Sequence, residues 1–244
     1  MKHLPLTIKV VKVNPDFNFD RYLQLFTPQV IDSIYSYRFP KDQIVKFCSE
    51  LLKHYYLADL LQKNPSNLDI IYNKYNKPFL VSRDFLINPK QVATASTFLQ
   101  SLHVKNDAMC FNSGDHNIKF NISHAQEYVI IAVIDNPAYE VGVDIEYIDR
   151  NSNDFREMAK IVYSDFEISQ IKNVDDFFNF WTKKESLIKA RGTGFGEDFY
   201  KTTQLTLDNY IQTTDHVIYT TLFERKYYIS ICLYKAYACV SYTQ

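Results

Sequence analysis

The sequence predicts an α+β protein made of two similar halves. Segments whose apolar residues alternate, as in half-buried strands, lie near both ends and in the middle of the 244-residue chain. Between them, apolar residues recur at three- and four-residue spacing, which is the helical pattern. This order of strand, helices and closing strands occurs twice, which indicates a duplication. The turn "NPAYE" at 136–140 divides the chain, so we expect subdomains at 1–137 and 138–244.

The first half begins with a predicted strand at 6–13, "LTIKVVKV". The region from Val30 to Gln62 is predicted to be mainly helical. Pro28 suits the start of a helix, and Pro40 divides the region because proline interrupts helical hydrogen bonding.

The middle of the chain predicts a turn, an insertion and two strands. Residues 73–81 are predicted to form a turn and a short extended piece around Pro78. Residues 84–117 resemble a polar insertion with one helix near 91–102. The segments "KFNISHA" and "EYVIIAVID" then predict strands, and the second is so apolar that we expect it to be buried on both faces.

The second half begins with the predicted strand "VGVDIEYI". Helices are predicted for "SNDFREMAKIVY" and "SDFEISQIK", each opened by Ser or Asn near an acidic residue. A stronger helix is predicted for "DDFFNFWTKKESLIKAR", ended by Gly192. Several strands follow in "VIYTTLFERKYYISICLYKAYACVSY".

Composition limits the class of protein. Apolar residues make up 46% of the chain and charged residues 23%, which is globular and excludes disorder. The net charge of −1 provides no global basic field, which argues against a nucleic-acid partner. The longest purely apolar run, "VIIAVI" at 129–134, is too short to cross a membrane. The four cysteines form no C-x-x-C pair, so we expect a cytoplasmic protein with reduced, buried thiols.

Two carboxylates share one face of the strand "VGVDIEY". Period-two alternation directs Val141, Val143 and Ile145 to one side, and Asp144 and Glu146 to the other. The two acidic residues would have Cα atoms about 6.5–7 Å apart, so that both carboxylates can converge on one small cation. The alternative is an exposed strand face that carries two solvated acids.

Trp181, Glu185 and Lys189 form a stripe on the strongest predicted helix, because they are spaced four residues apart. Glu185 would add a third carboxylate to the strand pair, giving an oxygen site suited to Mg²⁺. Lys189 would then offer its charge to a phosphate bound there. In the alternative interpretation, Glu185 and Lys189 form a surface pair worth about 0.2–0.5 kcal/mol and Trp181 belongs to the core.

A glycine-rich loop follows this helix. Gly192, Gly194 and Gly196 are three of the five glycines in the chain. One glycine would serve as a helix C-cap, whereas three alternating ones allow the backbone to approach a bulky ligand.

Ser123 and His124 begin an apolar strand in the segment "FNISHA". Neighbours in a strand point to opposite faces, which excludes a hydrolase triad. His124 is therefore either a structural residue or a hydrogen-bond donor to a phosphate.

Taken in order, "NKPFL", "FNISHA", "VGVDIEY" and "FWTKKESLIKARGTGF" resemble the motifs of the Sfp-type 4′-phosphopantetheinyl transferases. That family carries a Gly-Lys-Pro turn, an F-N-x-S-H segment, a G-(V/I)-D-I-E strand and a W-x-x-K-E helix followed by glycines. The last two motifs are matched almost completely. The resemblance implies two α/β subdomains related by a pseudo-twofold axis, with coenzyme A bound between them. It also implies a monomer, since the duplication supplies the interface that shorter relatives form between chains.

The reaction implied by the resemblance transfers the 4′-phosphopantetheine arm of coenzyme A to a serine of an apo carrier protein. Adenosine 3′,5′-bisphosphate is released. Mg²⁺, or Mn²⁺ in its place, is the implied metal, with Asp144, Glu146 and Glu185 as its ligands. Glu185 or a metal-bound water is the implied base, and Lys189 neutralises or protonates the leaving phosphate.

The resemblance also implies contacts with coenzyme A. Ser123 and His124 match the residues that bind phosphate. Lys77, followed by Pro78, matches the lysine that contacts the adenosine part. Asn76 stands in place of the motif's glycine, and asparagine can still adopt the left-handed conformation of such a turn.

The lysines that hold the 3′-phosphate in relatives are not matched in this chain. Arg38, Lys41 and Lys46 are nearby replacements, of which we favour Lys46.

The length of the chain favours peptide- or polyketide-synthase carrier domains as acceptors. Carrier proteins are acidic and this chain has no net positive charge, so a local basic patch is expected. We favour the helix after the acidic strand, which combines basic with apolar residues: Arg150, Arg156 and Lys160 with Met158, Ile161 and Val162. Lys183 and Lys184 are the second candidate, with a merely solvated pair as the alternative.

Two other functions are kept as alternatives. A metal-dependent nuclease or phosphodiesterase could use the same acids and lysine, although the near-zero net charge argues against it. A degenerate family member would bind coenzyme A or a carrier without transfer, although the three carboxylates and Lys189 are all present. A mass shift on a carrier protein incubated with coenzyme A and Mg²⁺ separates the three functions.

Overall fold

The computed structural model describes residues 6–82, 118–152, 154–194 and 203–236. The predicted insertion at 84–117, its helix near 91–102 and Gly196 lie outside these residues. Within the described part of the chain, no helix is long and apolar enough to cross a membrane.

The first half combines strands with a helical region. In chain order its elements are β1 (Leu6–Lys12), a 3₁₀ helix (Asp20–Leu25), α1 (Pro28–Tyr35), α2 (Pro40–Leu51), a π-helical turn (Leu52–Tyr56), α3 (Leu57–Leu60), a 3₁₀ turn (Pro65–Asn67), β2 (Leu68–Tyr72), β3 (Pro78–Ser82), β4 (Ile118–Ala125) and β5 (Tyr128–Asp135). Pro28 and Pro40 each stand in a first helical turn, where the missing N–H breaks no helical bond.

The second half repeats this kind of layout. Its elements are β6 (Tyr139–Tyr147), α4 (Phe155–Val162), α5 (Asp165–Ile168), α6 (Val174–Arg191), β7 (Tyr210–Gln212), β8 (His216–Phe223) and β9 (Tyr227–Lys235). Asn173 and Asp176 form a capping box at the start of α6. Gly192 follows the helix in the left-handed conformation that glycine favours.

The main sheets of the two halves have the same strand order. In the first half β5 lies between β1 and β4, and in the second half β9 lies between β6 and β8, with β7 at the edge. All of these pairs are antiparallel. In each half, therefore, the last strand pairs with the first strand on one side and with its own hairpin partner on the other.

Three apolar layers form the core. One packs the helices of the first half on its sheet, the second lies between the two sheets, and the third packs α6 on the second sheet. Strand β5 serves the first two layers, because Val129, Ile131 and Val133 face the helices while Ile130 and Ala132 face the second sheet. This confirms the prediction of burial on both faces.

Gly142 allows α6 to lie very close to β6. A Cβ at this position would fall 2.0 Å from Ser186 O and 2.3 Å from Ala190 N, so any larger residue would push the helix away. The motif therefore needs glycine here for packing. As a result, the face of α6 that carries Glu185 comes against the face of β6.

Most of the predicted elements are confirmed, and two differ. Strand β2 was not predicted, because Asp69 interrupts its apolar pattern and its pairing with β3 is what defines it. In "SDFEISQIK" only Asp165–Ile168 is helical, a single turn begun by the capping box of Ser164 and Glu167. The thiols of Cys48 and Cys232 are free and buried, as predicted, while the other two cysteines lie outside the described residues.

Candidate active site

Strand β6 places two acidic side chains toward α6. Asp144 is 2% exposed and Glu146 is partly buried, whereas Val141, Val143 and Ile145 belong to the layer between the sheets. The predicted alternation is confirmed. The alternative of two solvated acids is wrong for Asp144, because α6 covers it.

Helix α6 meets these acids with its predicted stripe. Trp181 Nε1 donates a hydrogen bond to Glu146 Oε1 at 2.9 Å. One turn along, Glu185 is 7% exposed, and after another turn Lys189 Nζ lies 2.6 Å from Asp144 Oδ1. The stripe therefore faces the strand, and the surface-pair interpretation of Glu185 and Lys189 is wrong.

Ser123 of β4 joins the same cluster. Its hydroxyl donates to Asp144 Oδ1 at 2.9 Å and accepts from Lys189 Nζ at 2.9 Å. Beside it, Asn121 Oδ1 accepts from the backbone N–H of Val143 at 3.0 Å. These bonds join the edge strands of the two sheets, so the cluster sits at the junction of the halves.

The cluster holds more negative than positive charge. Burial, assisted by repulsion from Asp144, raises the pKa of Glu146 and of Glu185 to about 7 each. Burial also raises the pKa of Asp144, although Lys189 opposes the shift. For Lys189, burial opposes the charge, but the three carboxylates outweigh it and raise its pKa. Lys189 therefore remains charged at neutral pH.

The donors of this cluster suit a hard divalent cation. Asp144 Oδ2 is buried and has no hydrogen-bond partner among the described residues. Within those residues, no three His, Cys, Asp or Glu side chains are gathered closely enough to hold a metal ion. In this conformation Lys189 is the cation that balances the carboxylates, and the metal ligands Asp144, Glu146 and Glu185 stay a prediction.

A cavity of about 540 Å³ opens beside the cluster. Glu185 and Lys189 line it from α6, and Lys77 and Pro78 line it from the turn before β3. The structure thus brings together, at one cavity, residues predicted separately from two distant motifs.

Comparison with known proteins agrees with this geometry. The family model described as "4'-phosphopantetheinyl transferase superfamily" matches residues 140–240, which include the acidic strand and α6. Over these residues the chain is similar to this superfamily.

Named relatives come from several bacteria. The 4′-phosphopantetheinyl transferase gsp of Aneurinibacillus migulanus is 29% identical over 158 residues, 63% of this chain and 51% of the relative. HetI of Nostoc sp., also named a 4′-phosphopantetheinyl transferase, is 32% identical over a match that covers 34% of this chain and 36% of the length of HetI. The 4′-phosphopantetheinyl transferase of Bacillus subtilis is 33% identical over a match that covers 32% of this chain and 35% of the length of that relative. The chain thus spans about half, or less, of the length of these relatives.

The Asn-Lys-Pro turn has the expected shape but unexpected contacts. Asn76 has φ 62°, the left-handed conformation predicted for it. Lys77 is 6% exposed, and its Nζ donates to Glu140 Oε2 at 2.6 Å and to Ala190 O at 2.5 Å. The ammonium group is therefore held by the protein interior, and contact of Lys77 and Pro78 with adenosine stays a prediction.

The predicted phosphate ligands separate into two places. His124 is exposed and lines a second cavity of about 540 Å³ together with Lys41 and Lys46, whereas its neighbour Ser123 belongs to the buried cluster. The pKa of His124 is lowered, by desolvation first and by Lys189 second. Lys46 is paired with Glu50 at 2.6 Å. Two separate anion contacts are thus expected in place of one joint Ser123–His124 contact.

The glycine loop packs on protein as well as lining the first cavity. A Cβ on Gly192 would lie 2.6 Å from Lys77 Cδ, and a Cβ on Gly194 would lie 2.6 Å from Tyr75 Cδ1. Both have positive φ. The need for glycine at these two positions therefore comes first from the neighbouring turn.

Lys183 and Lys184 are not a docking surface, and that prediction is wrong. Both are 0% exposed. Lys183 Nζ donates to Thr206 O at 2.7 Å, and Lys184 Nζ pairs with the equally buried Glu167 at 2.8 Å. Both lysines lie on the face of α6 that is turned away from solvent. There they contact Glu167 and the segment that leads into β7.

Several residues of the site were not found from the sequence. Trp181 was predicted on the stripe with Glu185 and Lys189, but the hydrogen bond from its indole N–H to Glu146 was not predicted. Glu50 and Lys53 form a buried pair at 2.7 Å, and Lys53 lines the first cavity. Asn73, discussed below, gave no signal beyond its position before the Asn-Lys-Pro turn.

Proposed function

We propose that this protein transfers the 4′-phosphopantetheine arm of coenzyme A to a serine of an apo carrier protein, with release of adenosine 3′,5′-bisphosphate. One observation carries the proposal. Helix α6 places Glu185 and the charged Lys189 at a cavity between the halves, with Lys189 Nζ 2.6 Å from Asp144. The superfamily match over the same elements supports this activity.

We propose Asp144, Glu146 and Glu185 as the residues that hold Mg²⁺, with Mn²⁺ as a substitute. Their oxygen donors, their shared excess of negative charge and the unpartnered Asp144 Oδ2 support this assignment. When bound, the metal would neutralise charge on the diphosphate.

The chain's own groups account for the movement of electrons and protons. The carrier serine Oγ attacks the phosphorus that bears the pantetheine arm, and a P–O bond forms. The P–O bond to the adenosine bisphosphate breaks, and its electron pair leaves with that product. Glu185 accepts the serine proton. Lys189 stabilises the charge that develops on the leaving phosphate.

Coenzyme A would contact both cavities. Lys189 and Ser123 lie where a diphosphate would meet the acidic cluster, and Lys77 with Pro78 forms one wall beside it. Lys46 and His124 line the second cavity and are the proposed ligands of a further phosphate group.

The equal strand order of the two sheets supports a duplicated architecture. We propose two subdomains at 1–137 and 138–244 related by a pseudo-twofold axis, with coenzyme A between them. A monomer follows from this proposal, since both halves of the interface lie on one chain. A cytoplasmic location stays a prediction from the sequence.

The acceptor we propose is a peptidyl, polyketide or acyl carrier domain that docks on α4. Met158 is 45% exposed and Ile161 is 72% exposed on this helix, with Arg156 and Lys160 beside them. Lys160 pairs with the exposed Glu157 of its own helix at 2.7 Å. Apolar residues with a basic rim suit a transient interface with an acidic partner.

The decisive test is intact-mass analysis of an apo carrier protein incubated with the purified chain, coenzyme A and Mg²⁺. We expect the carrier mass to increase by one phosphopantetheinyl group, with adenosine 3′,5′-bisphosphate formed in equal amount. A carrier with its acceptor serine replaced by alanine is the matched control and should remain unmodified. Removal of Mg²⁺ by a chelator should stop the reaction.

Other outcomes would lead to other functions. Coenzyme A binding by calorimetry without modification of several carrier classes would favour the degenerate, non-transferring protein. Cleavage of DNA or RNA without coenzyme A would favour the nuclease.

A further inference from the structure

The turn between β2 and β3 is built around the side chain of Asn73. Its Oδ1 accepts hydrogen bonds from the backbone N–H groups of Tyr75 and Lys77, both at 2.9 Å. Its backbone N–H donates to Lys77 O at 3.1 Å, and its carbonyl accepts from the N–H of Asn76 at 3.0 Å. The amide oxygen of Asn73 therefore fixes the local shape of the turn.

The nitrogen of the same amide reaches another part of the chain. Asn73 Nδ2 donates to Gly192 O at 2.9 Å, across 119 residues of sequence. Gly192 ends α6 and lies three residues after Lys189. One planar side chain thus joins a turn of the first half to the carboxyl end of the helix that carries Glu185 and Lys189.

Two other contacts reinforce this junction. Lys77 Nζ donates to Ala190 O at 2.5 Å, and the Tyr75 ring packs against Gly194. Lys77 reaches the helix through a flexible stem, and Tyr75 through ring packing. The short amide of Asn73 has two torsions, and its hydrogen bonds hold both, so it is a stiff link between the turn and the helix.

We infer that Asn73 is a positioning residue that sets the distance between the coenzyme A-contacting turn and Lys189. The inference rests on the proposed function, because the contact of Lys77 and Pro78 with coenzyme A is itself proposed. Asn73 need not touch the substrate. Through Gly192 it holds the end of α6, so that a ligand seated on the turn presents its diphosphate to Lys189.

The substitution Asn73→Asp tests this inference with little change of shape. The carboxylate can still accept from Tyr75 and Lys77, so the turn is retained. Its second oxygen would face Gly192 O, where two acceptors repel and the tie is lost. Asn18→Asp is the matched control, since Asn18 Oδ1 likewise accepts from the backbone N–H two residues on, at 2.9 Å, and the residue is exposed and lines neither cavity.

Two measurements are made on both variants. For Asn73→Asp we expect faster hydrogen–deuterium exchange in peptides that cover 188–194, with β8 and β9 unchanged. We also expect the KM for coenzyme A to rise about tenfold, with a smaller fall in kcat and an unchanged KM for the carrier. Asn18→Asp should leave exchange and both KM values near wild type.

The outcomes separate this inference from the proposed function. Unchanged exchange at 188–194 in Asn73→Asp, or an unchanged KM for coenzyme A in an active enzyme, would overturn the role of Asn73. An equal effect of Asn18→Asp would assign the change to the added charge and overturn the role of Asn73 as well. Absence of transfer by the wild-type chain would refute the proposed function. The hydrogen–deuterium exchange comparison alone would then show whether Asn73 holds the end of α6. If Asn73→Asp does not fold, Asn73→Ser keeps an acceptor for the turn and takes its place in both measurements.

Discussion

Two buried charge clusters line the cavities of this protein, and they are opposite in sign. At the junction of the halves, Asp144, Glu146 and Glu185 surround the single ammonium group of Lys189. On α2 and the π-helical turn, one carboxylate binds three basic side chains: Glu50 contacts Lys46 at 2.6 Å, Lys53 at 2.7 Å and His54 at 3.5 Å.

The pKa of each glutamate follows the balance of acidic and basic groups in its cluster. In the first cluster the carboxylates repel one another, and burial raises the pKa of Glu185 to about 7. In the second, burial acts in the same direction, but hydrogen bonds from His54, Lys53 and Lys46 outweigh it and lower the pKa of Glu50. The same residue type, similarly buried, is thus shifted in opposite directions.

The difference indicates which cluster is built for a ligand and which for support. Excess negative charge at the junction gains stability from an added cation, whereas Glu50 already has its partners. The basic excess around Glu50 lies toward the cavities, where Lys46 and Lys53 would face anionic groups of coenzyme A.

The largest effect is expected for Asp144→Ala. Transfer should fall by about 10³-fold or more, since Asp144 is both a proposed metal ligand and the partner of Lys189. The folded state should survive, because removal of one carboxylate relieves repulsion in the cluster. Single-turnover mass spectrometry and thermal unfolding measure the two quantities. Asp149→Ala, on the exposed chain just beyond β6, is the control and should leave transfer and stability unchanged. Near-normal turnover of Asp144→Ala at saturating Mg²⁺ would contradict the proposal that the acidic cluster binds the metal.

A smaller loss is expected for Lys189→Ala. The rate of transfer should fall by about 10²-fold, because the charge on the leaving phosphate loses its partner. The free energy of unfolding without Mg²⁺ should fall by about 1–3 kcal/mol, since Asp144 is left buried without an ion pair. Added Mg²⁺ should recover part of that loss by binding the folded state. Lys172→Ala, an exposed cation on the segment before α6, should change neither quantity; unchanged kinetics of Lys189→Ala would remove Lys189 from the mechanism.

Glu50→Gln tests the second cluster by stability. We expect the free energy of unfolding to fall by about 2–3 kcal/mol at pH 7, because two lysines lose their buried counter-charge. The lowered pKa of Glu50 means that its contribution is complete above its usual pKa of 4.5 and is lost as the pH falls below it. The gap between wild type and variant, measured by urea unfolding, should therefore narrow under acid conditions.

The control for that variant is Glu157→Gln. Glu157 pairs with Lys160 on the surface, and both side chains are more than half exposed, so a change of at most about 0.5 kcal/mol is expected. A gap between wild type and Glu50→Gln that stays constant from pH 7 to pH 3 would contradict the ionic role of Glu50.

The smallest effect is expected outside both clusters. Replacing Arg156 and Lys160 by Glu should raise the KM for the carrier several-fold at low salt, with the difference shrinking as salt screens the charges. The KM for coenzyme A should not change, because α4 lines neither described cavity. Steady-state kinetics at two ionic strengths decide the point. Equal loss of affinity for both substrates would place the docking surface elsewhere.

The sequence was sufficient to bring the main residues of the candidate site together, because they lie on periodic elements. Alternation along β6 placed Asp144 and Glu146 together, and four-residue spacing on α6 placed Glu185 and Lys189 together. Prediction from the sequence failed where the same residue type can be either exposed or buried. Lys183 and Lys184 are charged, which predicts exposure, yet both are 0% exposed because backbone carbonyls and Glu167 receive them.

Local patterns by themselves determined most of the strands, the long helix with its caps, and the faces on which Asp144, Glu146, Glu185 and Lys189 lie. These follow from periodicity and turn chemistry, which act over a few neighbouring residues. Only the tertiary structure decided which faces meet. Gly142 permits α6 to approach β6, Ser123 joins the cluster from the other sheet, and Asn73 reaches Gly192 across 119 residues. Such contacts depend on packing between distant segments, and no local spacing encodes them.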